Sequence, residues 1–274
     1  MSVNTRTDRE GARAAPTGLS RSFAIQCRII GALFLREVLT RYGRHNIGFF
    51  WLFVEPMIFT ALVTALWTAI GANHGSSIPI VAFGLTGYST ALLWRNMPNR
   101  TLGAIEPNLS LMYHRNVKVI DIYMSRILLE VGGVTASFVI LAFAFTAFEW
   151  MQPPEDILKV MFAWLMLCWF GVALGLAIGA VGERYTFIGK LWGPMSYILF
   201  PLSGAAFIVD ALPPGGRDYI LLLPMVHGVE LLREGYFGSA VRSHYDLGYM
   251  AACCLALTLF GMAGTRIVGR DITP

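Results

Sequence analysis

Charged residues within long apolar runs are the first candidates for chemistry in this sequence. Glu55 stands next to Pro56, about a third of the way into such a run. In a membrane, a carboxylate at that depth is costly unless it faces protein, water or a basic partner. The proline also removes a backbone hydrogen bond and favours a kink. Glu55 is therefore predicted to belong to a gate, to pair with Arg41 or Arg44, or to form a helix-packing hydrogen bond.

A second polar set lies near the end of the chain. His227, Glu230 and Arg233 recur at steps of three residues and would share one face of a helix. The apolar stretch at 220–229 around them is interrupted at Pro224 and is about half the length needed to cross a bilayer. Re-entrant or interfacial half-helices are expected, and they form a candidate exit gate. The three side chains would contact a polar substrate or form the ordinary salt bridges of a lid.

Signatures of catalysis are missing from the sequence. Gly189-Lys190 is followed by Leu191, and Arg184 stands where a P-loop needs glycine, so the chain holds no nucleotide in that way. There is no zinc-protease or nucleophile-elbow motif, and there are no paired intramembrane carboxylates of the kind that a proton-coupled carrier or an intramembrane hydrolase would use. The four cysteines show no disulfide framework or metal-ligand spacing. We expect no catalytic residue, no metal and no cofactor on this chain.

The composition indicates an all-α membrane protein. Hydrophobic residues make up 55% of the 274 positions and charged residues 14%. About 20 apolar residues suffice to cross a bilayer as a helix. Six transmembrane helices are predicted, at about 47–71, 79–97, 124–148, 157–181, 190–209 and 247–268.

The distribution of basic residues predicts the orientation. Seventeen Lys and Arg residues fall on the side of the two termini and four on the other. Both termini are therefore expected in the cytoplasm. The net charge of +4 then reflects orientation and calls for no nucleic-acid partner. Residues 1–20 are polar and Arg-rich, which is typical of a disordered cytoplasmic tail and not of a signal peptide.

Residues 23–44 are apolar but carry charges around the helix, so they are predicted to lie in the membrane interface. The predicted apolar face comprises Phe23, Cys27, Ile30, Phe34 and Val38. The segment would contact lipid on one side and protein on the other, or serve only as an anchor.

Two further patterns predict packing. Gly171, Gly175 and Gly179 recur every four residues, which favours a close helix contact within the subunit over one with a second subunit. Residues 108–116, preceded by a proline, are expected to form a short docking helix. Leu109, Met112 and Tyr113 would form an apolar ridge there, exposed for a partner or packed on the subunit itself.

Three segments together resemble a known family: LFLREVLTRYGRHNIGFFWLFVEPM, NLSLMYHRNVKVIDIYMSRILLE and LPMVHGVELLREGYFG. Their order and spacing resemble the ABC-2 type permease subunits of bacterial polysaccharide exporters, most closely those for capsular polysaccharide. The resemblance covers nearly the whole chain beyond residue 20.

The resemblance implies a homodimer in the bacterial inner membrane, paired with two ATP-binding subunits that hold ATP and magnesium. This assembly would move a lipid-linked polysaccharide from cytoplasm to periplasm through a channel between the two copies. Periplasmic adaptor and outer-membrane export proteins are further candidate partners. An alternative cargo is O-antigen, teichoic acid or another lipid-linked or small amphipathic molecule. An alternative function of a different kind is that of a membrane scaffold that transports nothing.

The resemblance also implies roles for particular residues. Arg41 and Arg44 would meet a lipid phosphate at a cytoplasmic entrance gate that includes Glu55. Residues 218–236 would contain the periplasmic gate helices with His227, Glu230 and Arg233. The ATPase-coupling region would contain Asn108, Leu109, Leu111, Met112, Tyr113, His114 and Arg115. Span position alone suggests Tyr88, Trp94, Tyr197 and Phe200 as channel aromatics for sugar stacking.

Overall fold

The computed structural model describes residues 18–42, 46–71, 78–114 and 117–272, and all regular structure in these ranges is helical. Three single turns of 3-10 helix accompany the longer elements, at Glu106–Asn108, Val209–Ala211 and Gly238–Ala240. The α-helices are α1 Leu19–Tyr42, α2 Asn46–Ala69, α3 Ile80–Thr101, α4 Leu109–His114, α5 Val119–Ala147, α6 Ile157–Arg184, α7 Thr186–Leu202, α8 Pro214–Ile220, α9 Pro224–Phe237 and α10 Leu247–Ile272.

Four of these helices are long and apolar enough to cross a membrane: α2 from residue 50, α5, α6 and α10. Helices also occupy the other two predicted positions, as α3 and α7. Nearly every residue of α3 between 82 and 94 is buried by the rest of the chain. Its polar residues are therefore shielded by protein, which explains why its composition is less apolar than that of a lipid-facing helix.

The fifth predicted span is displaced in the structure. The sequence placed it at 190–209, but α7 begins at Thr186 and ends at Leu202. The chain turns at Gly204, whose φ of +82° favours glycine. Seventeen helical residues extend roughly 25 Å, slightly less than the hydrocarbon thickness of about 30 Å. The apolar residues from 203 to 209 belong to a connecting segment that the hydropathy pattern could not distinguish from helix.

Helices α3 and α6 form the centre of the bundle, and the glycine repeat on α6 is the reason they pack so closely. A Cβ atom on Gly171 would lie 2.7 Å from the sulfur of Met97, and one on Gly179 would lie 2.6 Å from the Cβ of Thr101. The Thr101 hydroxyl donates to the carbonyl of Gly175 at 2.8 Å. The prediction of close helix packing within the subunit is confirmed.

Helix α1 (Leu19–Tyr42) covers most of the segment predicted at 23–44, and its predicted apolar face is only partly turned toward the protein. Phe23 is 70% exposed and Cys27 is also exposed. Ile30, Phe34 and Val38 are half-buried, so this part of the predicted face does contact the protein. The side turned toward the protein also carries Gln26, Leu33 and Glu37, and it is partly polar because its neighbour α5 offers polar partners.

Candidate functional site

A seam of polar contacts fastens α1 to the helices beside it. Gln26 donates to the carboxylate of Asp121 at 3.0 Å, and Glu37 lies 3.2 Å from Arg126. The partners on α5 therefore advance along that helix as the residues of α1 advance. Contacts spread over several turns fix both the rotation and the position of α1, which apolar contacts alone would leave free to slide.

The seam ends at Glu130, which is 5% exposed and is the centre of a charged cluster. Arg41 of α1 and Arg100 of α3 both bind its carboxylate, the latter at 2.6 Å. The amide of Asn96 lies 3.3 Å from the second carboxylate oxygen. A buried carboxylate with two guanidinium partners is stable as an anion because each partner compensates part of the charge taken from water.

Glu55 of α2 also reaches this cluster. Its carboxylate lies 3.7 Å from the guanidinium of Arg41, so the charge pair considered from the sequence is present. Arg44, the other basic partner considered, lies outside the described residues. Glu55 and Glu130 thus converge on Arg41 from different helices, each as the partner of a guanidinium.

A cavity of about 80 Å³ opens beside the cluster and is bounded by α1, α2, α3 and α5. The charged groups that line it are Arg41, Glu55, Arg95, Arg100 and Glu130. Three cations and two anions leave a net positive charge among these side chains. The cavity is small beside the one of about 440 Å³ at the end of α10.

The predicted docking segment forms the expected short helix, but its apolar ridge is mostly not exposed. The turn at Glu106–Asn108 leads directly into α4. Met112 is buried in the core of the subunit, and Leu109 and Leu111 are packed against that core. Tyr113 is 63% exposed. The interpretation of all three ridge residues as a free surface is wrong, since α4 uses its apolar side to attach to its own bundle.

Asn108 has a structural connection that the sequence did not indicate. It is buried, its amide donates to the carbonyl of Ala104 at 2.8 Å, and its side-chain oxygen accepts a hydrogen bond from Arg36 of α1. The docking segment is thereby tied to the interface helix. The side chain of His114 and all of Arg115 lie outside the described residues.

Glu230 and Arg233 of α9 are both fully buried and bind backbone groups of the segments on either side. Arg233 donates to the carbonyls of Ala205, at 2.9 Å, and Phe207, and its guanidinium lies 4.1 Å from the ring centre of Phe83. Glu230 accepts from the backbone N–H groups of Val209 and His244. In this conformation both side chains fasten connecting segments to α9 and are not accessible to a substrate.

His227 fastens the same region from the other side of the α8–α9 turn. Its Nε2 donates to the carbonyl of Leu221 at 2.8 Å, and its Nδ1 accepts from the backbone N–H of Asp246 at 2.8 Å. One nitrogen donates and the other accepts, which defines the neutral tautomer. Burial lowers the pKa of His227, in agreement with a neutral ring.

An exposed charged group, Asp210, lies beside this region. His244 contacts its carboxylate at 2.8 Å and Arg217 at 3.4 Å. The hydrogen bond from His244, followed by the charge of Arg217, holds the pKa of Asp210 below its ordinary value. Helices α8 and α9 are separated at 221–223, as the interruption at Pro224 predicted, and Pro224 occupies the first turn of α9.

Three of the four aromatics suggested for a channel form one patch with Arg95. The rings of Tyr88 and Phe200 are 5.7 Å apart, and the guanidinium of Arg95 lies 5.4 Å from the ring centre of Tyr197. Tyr197 is 70% exposed. Trp94, in contrast, is completely enclosed within the subunit, so in this conformation its ring cannot contact a polymer.

Sequence reasoning missed Glu130 and its neighbours Asn96 and Arg100, as well as the seam partners Asp121 and Arg126. Glu130 does carry a signal in the sequence, because it lies inside the span predicted at 124–148. A carboxylate at that depth is as costly as Glu55 and is a candidate site for the same reason. No local pattern showed that it would meet α1, because the two partners are separated by 89 positions in the chain.

Comparison with known proteins identifies relatives over most of the chain. The family described as ABC-2 type transporter matches residues 28–237. The capsule polysaccharide export inner-membrane protein CtrC of Neisseria meningitidis serogroup B is 42% identical over 258 residues, 94% of this chain and 97% of CtrC. BexB of Haemophilus influenzae, which has the same description, is 42% identical with the same coverage. The polysialic acid transport protein KpsM of Escherichia coli is 28% identical over 242 residues, 88% of this chain and 93% of KpsM.

Proposed function

Because the chain belongs to the family of ABC-2 type transporters, we propose that it is the membrane-spanning subunit of an ATP-driven exporter of capsular polysaccharide. The observation that carries the choice of cargo is the similarity, at 42% identity along nearly the full length, to two proteins described as capsule export inner-membrane proteins. A match of this extent includes the charged cluster, the docking segment and α9, and not only the apolar helices.

In this proposal the chain has six membrane-crossing helices, namely α2, α3, α5, α6, α7 and α10, with both termini in the cytoplasm. It forms a homodimer that binds two copies of a separate ATPase chain. The cargo is a lipid-linked polysaccharide, moved from cytoplasm to periplasm, where adaptor and outer-membrane proteins would receive it. Helices α8 and α9 form the periplasmic end.

The decisive experiment is deletion of the gene in its host, followed by complementation. Without the chain, surface polysaccharide should disappear while the same polymer accumulates inside the cell, and a plasmid copy should restore export. If capsule on the surface were unchanged and O-antigen were lost instead, the alternative cargo would be correct.

The channel proposal is supported by the position of Arg95. The Tyr197 ring that its guanidinium approaches lies eleven residues into α7, roughly 16 Å from the start of that helix. At such a depth a guanidinium is costly against lipid and is expected to face water or protein. The patch of Tyr88, Arg95, Tyr197 and Phe200, in which Tyr197 is the exposed member, therefore belongs beside a polar lumen that a second copy of the chain would complete.

Cysteine labelling tests the lumen. In a background without the native cysteines, Tyr197→Cys should react with a membrane-impermeant maleimide and should be protected while polymer occupies the exporter. The matched control is Leu255→Cys on α10, whose side chain is also exposed in the subunit but is apolar and predicted to face lipid. Equal labelling of both positions would contradict the assignment of this patch to a lumen.

The entrance is proposed at the cavity around Arg41. A lipid-linked phosphate would compete with Glu55 and Glu130 for the guanidinium of Arg41, and α1 and α2 would separate to admit the sugar chain. The longer contact, at 3.7 Å to Glu55, is the weaker of the two and would break first. Arg41→Lys keeps the charge but loses the planar fork, so it should lower export while leaving the amount of protein in the membrane unchanged.

The ATPase is proposed to bind the outer side of the docking segment, where Glu106, Ser110 and Tyr113 are exposed. Tyr113→Asp should abolish copurification of the ATPase without unfolding the chain, because this side chain is not part of the core. Tyr219→Asp on α8 is the matched control, since that tyrosine is 76% exposed at the opposite end of the bundle. Unchanged copurification in Tyr113→Asp would show that the ATPase binds elsewhere.

A further inference from the structure

A second and larger cavity lies where α1, the start of α5 and the end of α10 meet, with a volume of about 440 Å³. Its basic lining consists of Lys118, Arg266 and Arg270, all of them exposed. Within the described ranges, none of these three side chains takes part in an ion pair. Three cations at one cavity attract an anionic occupant.

The acidic residues nearby do not neutralise this cavity. Asp121 is 1% exposed and is turned into the protein, where it accepts hydrogen bonds from Gln26 and from the backbone of Lys118. Asp271 lies 3.8 Å from Arg184. The positive charge of Lys118, Arg266 and Arg270 therefore remains available to a ligand.

The remaining wall of the cavity is largely apolar, with Met112, Val117, Ile120 and Met262 among its members. Helices α5 and α10 are both candidate membrane spans, and the cavity lies at their shared ends. Basic side chains at the end of a span and apolar side chains toward its centre match the two parts of a phospholipid, the phosphate and the acyl chains.

We propose that this cavity binds an anionic membrane phospholipid, with its phosphate at Arg266 and Arg270 and its acyl chains along α10. Arginine suits this role because its planar guanidinium donates two parallel hydrogen bonds to a phosphate. A bound lipid would contact α1, the packed side of α4 at Met112 and the end of α10 at once. The site is separate from the cavity around Glu130 and does not depend on the identity of the exported polymer.

The test measures lipid binding to the purified full-length chain in a neutral detergent, with phosphatidylglycerol as the probe and phosphatidylcholine as its neutral counterpart. Wild-type protein should bind phosphatidylglycerol at least tenfold more tightly. Arg266→Gln with Arg270→Gln should lower that affinity by roughly ten- to thirtyfold, as expected for two charges near an anionic surface. Arg266→Lys with Arg270→Lys keeps both charges but loses the planar forks, so its affinity should lie between those of the wild type and the double Gln variant.

The matched control is Lys190→Gln with Arg242→Gln, which removes two exposed charges that lie outside the cavity. An equal loss of affinity in this control would overturn the proposal, since general attraction would then explain binding. Displacement of the lipid by an equal concentration of inorganic phosphate would assign the site to a free anion. Displacement by the ATPase subunit would assign it to an acidic protein surface. The assay requires no transport, so its failure is distinguishable from failure of the proposed export function.

Discussion

Glu130→Gln is the substitution with the largest expected effect in the polar part of the structure. The side chain keeps its shape but loses its charge, so Arg41 and Arg100 each lose their ion pair with residue 130. At about 4 Å between charge centres and an effective dielectric constant of about 20, each pair attracts by roughly 4 kcal/mol. Most of that attraction offsets the desolvation of the charges, so it is not the net contribution to stability.

The expected loss follows from what remains after the substitution. Removing one partner of a buried pair costs about 3–5 kcal/mol. The side chain of Arg100 is 35% exposed, and Arg41 retains Glu55 at 3.7 Å. Water at Arg100 and the carboxylate of Glu55 at Arg41 compensate part of this loss. We therefore expect the free energy of unfolding to fall by about 3 kcal/mol, the low end of that range.

The assay is a reversible denaturant titration of the reconstituted chain, followed by tryptophan fluorescence. Glu106→Gln is the control, since that carboxylate is exposed and its loss should cost less than about 0.5 kcal/mol. Adding Arg100→Gln to Glu130→Gln removes an uncompensated cation and should recover about 1 kcal/mol. If Glu130→Gln were no more destabilising than Glu106→Gln, the cluster would not contribute to stability as argued.

Three further substitutions test other parts of the molecule. Gly179→Leu should destabilise the chain by about 2–3 kcal/mol in the same titration, because its Cβ would overlap α3, whereas Gly132→Leu, with open space at its Cβ, should be nearly neutral. Reversing one member of the Glu37–Arg126 pair should lower capsule export, and reversing both together should restore most of it; no restoration would show that the contact is incidental. The lowered pKa of Asp210 predicts that its contribution to stability is complete above its unfolded pKa of about 3.9 and is lost as the pH falls through the lower folded value. The stability difference between wild type and Asp210→Asn should therefore shrink on acidification, and a difference that grew would contradict the argument.

The helices themselves were predictable because their signals are local. A run of apolar residues, a proline that begins α9 and glycines four residues apart on α6 each act through neighbours within a few turns. Close packing along Gly171, Gly175 and Gly179 followed from that spacing alone. The end of α7 was not predictable in this way, because the segment after Leu202 is as apolar as the helix and turns only where Gly204 allows it.

The contact faces were less predictable because they depend on residues far apart in the chain. The apolar pattern of α1 left open which side meets lipid and which meets protein, and it gave no indication of Gln26, Glu37 and Arg41, whose partners lie on α5. In an interface helix both lipid and protein accept apolar residues, so hydrophobicity alone does not distinguish the two sides. Complementary charges on two helices are a better guide, but their pairing requires knowledge of which helices are neighbours.

The polar contacts of α1 give the docking segment a direct connection to the charged cavity. Arg36 binds Asn108 at the start of the docking segment, and Arg41, five residues further along the same helix, binds Glu130. Five residues of helix extend about 7.5 Å, and a hydrogen-bonded helix of that length moves as one body. A displacement of Asn108 therefore must either break its bond to Arg36 or shift α1, and a shift of α1 changes the contacts of Arg41 with Glu55 and Glu130. In the proposed exporter, α1 would therefore transmit movement of the docking segment to the contacts of Arg41 at the entrance.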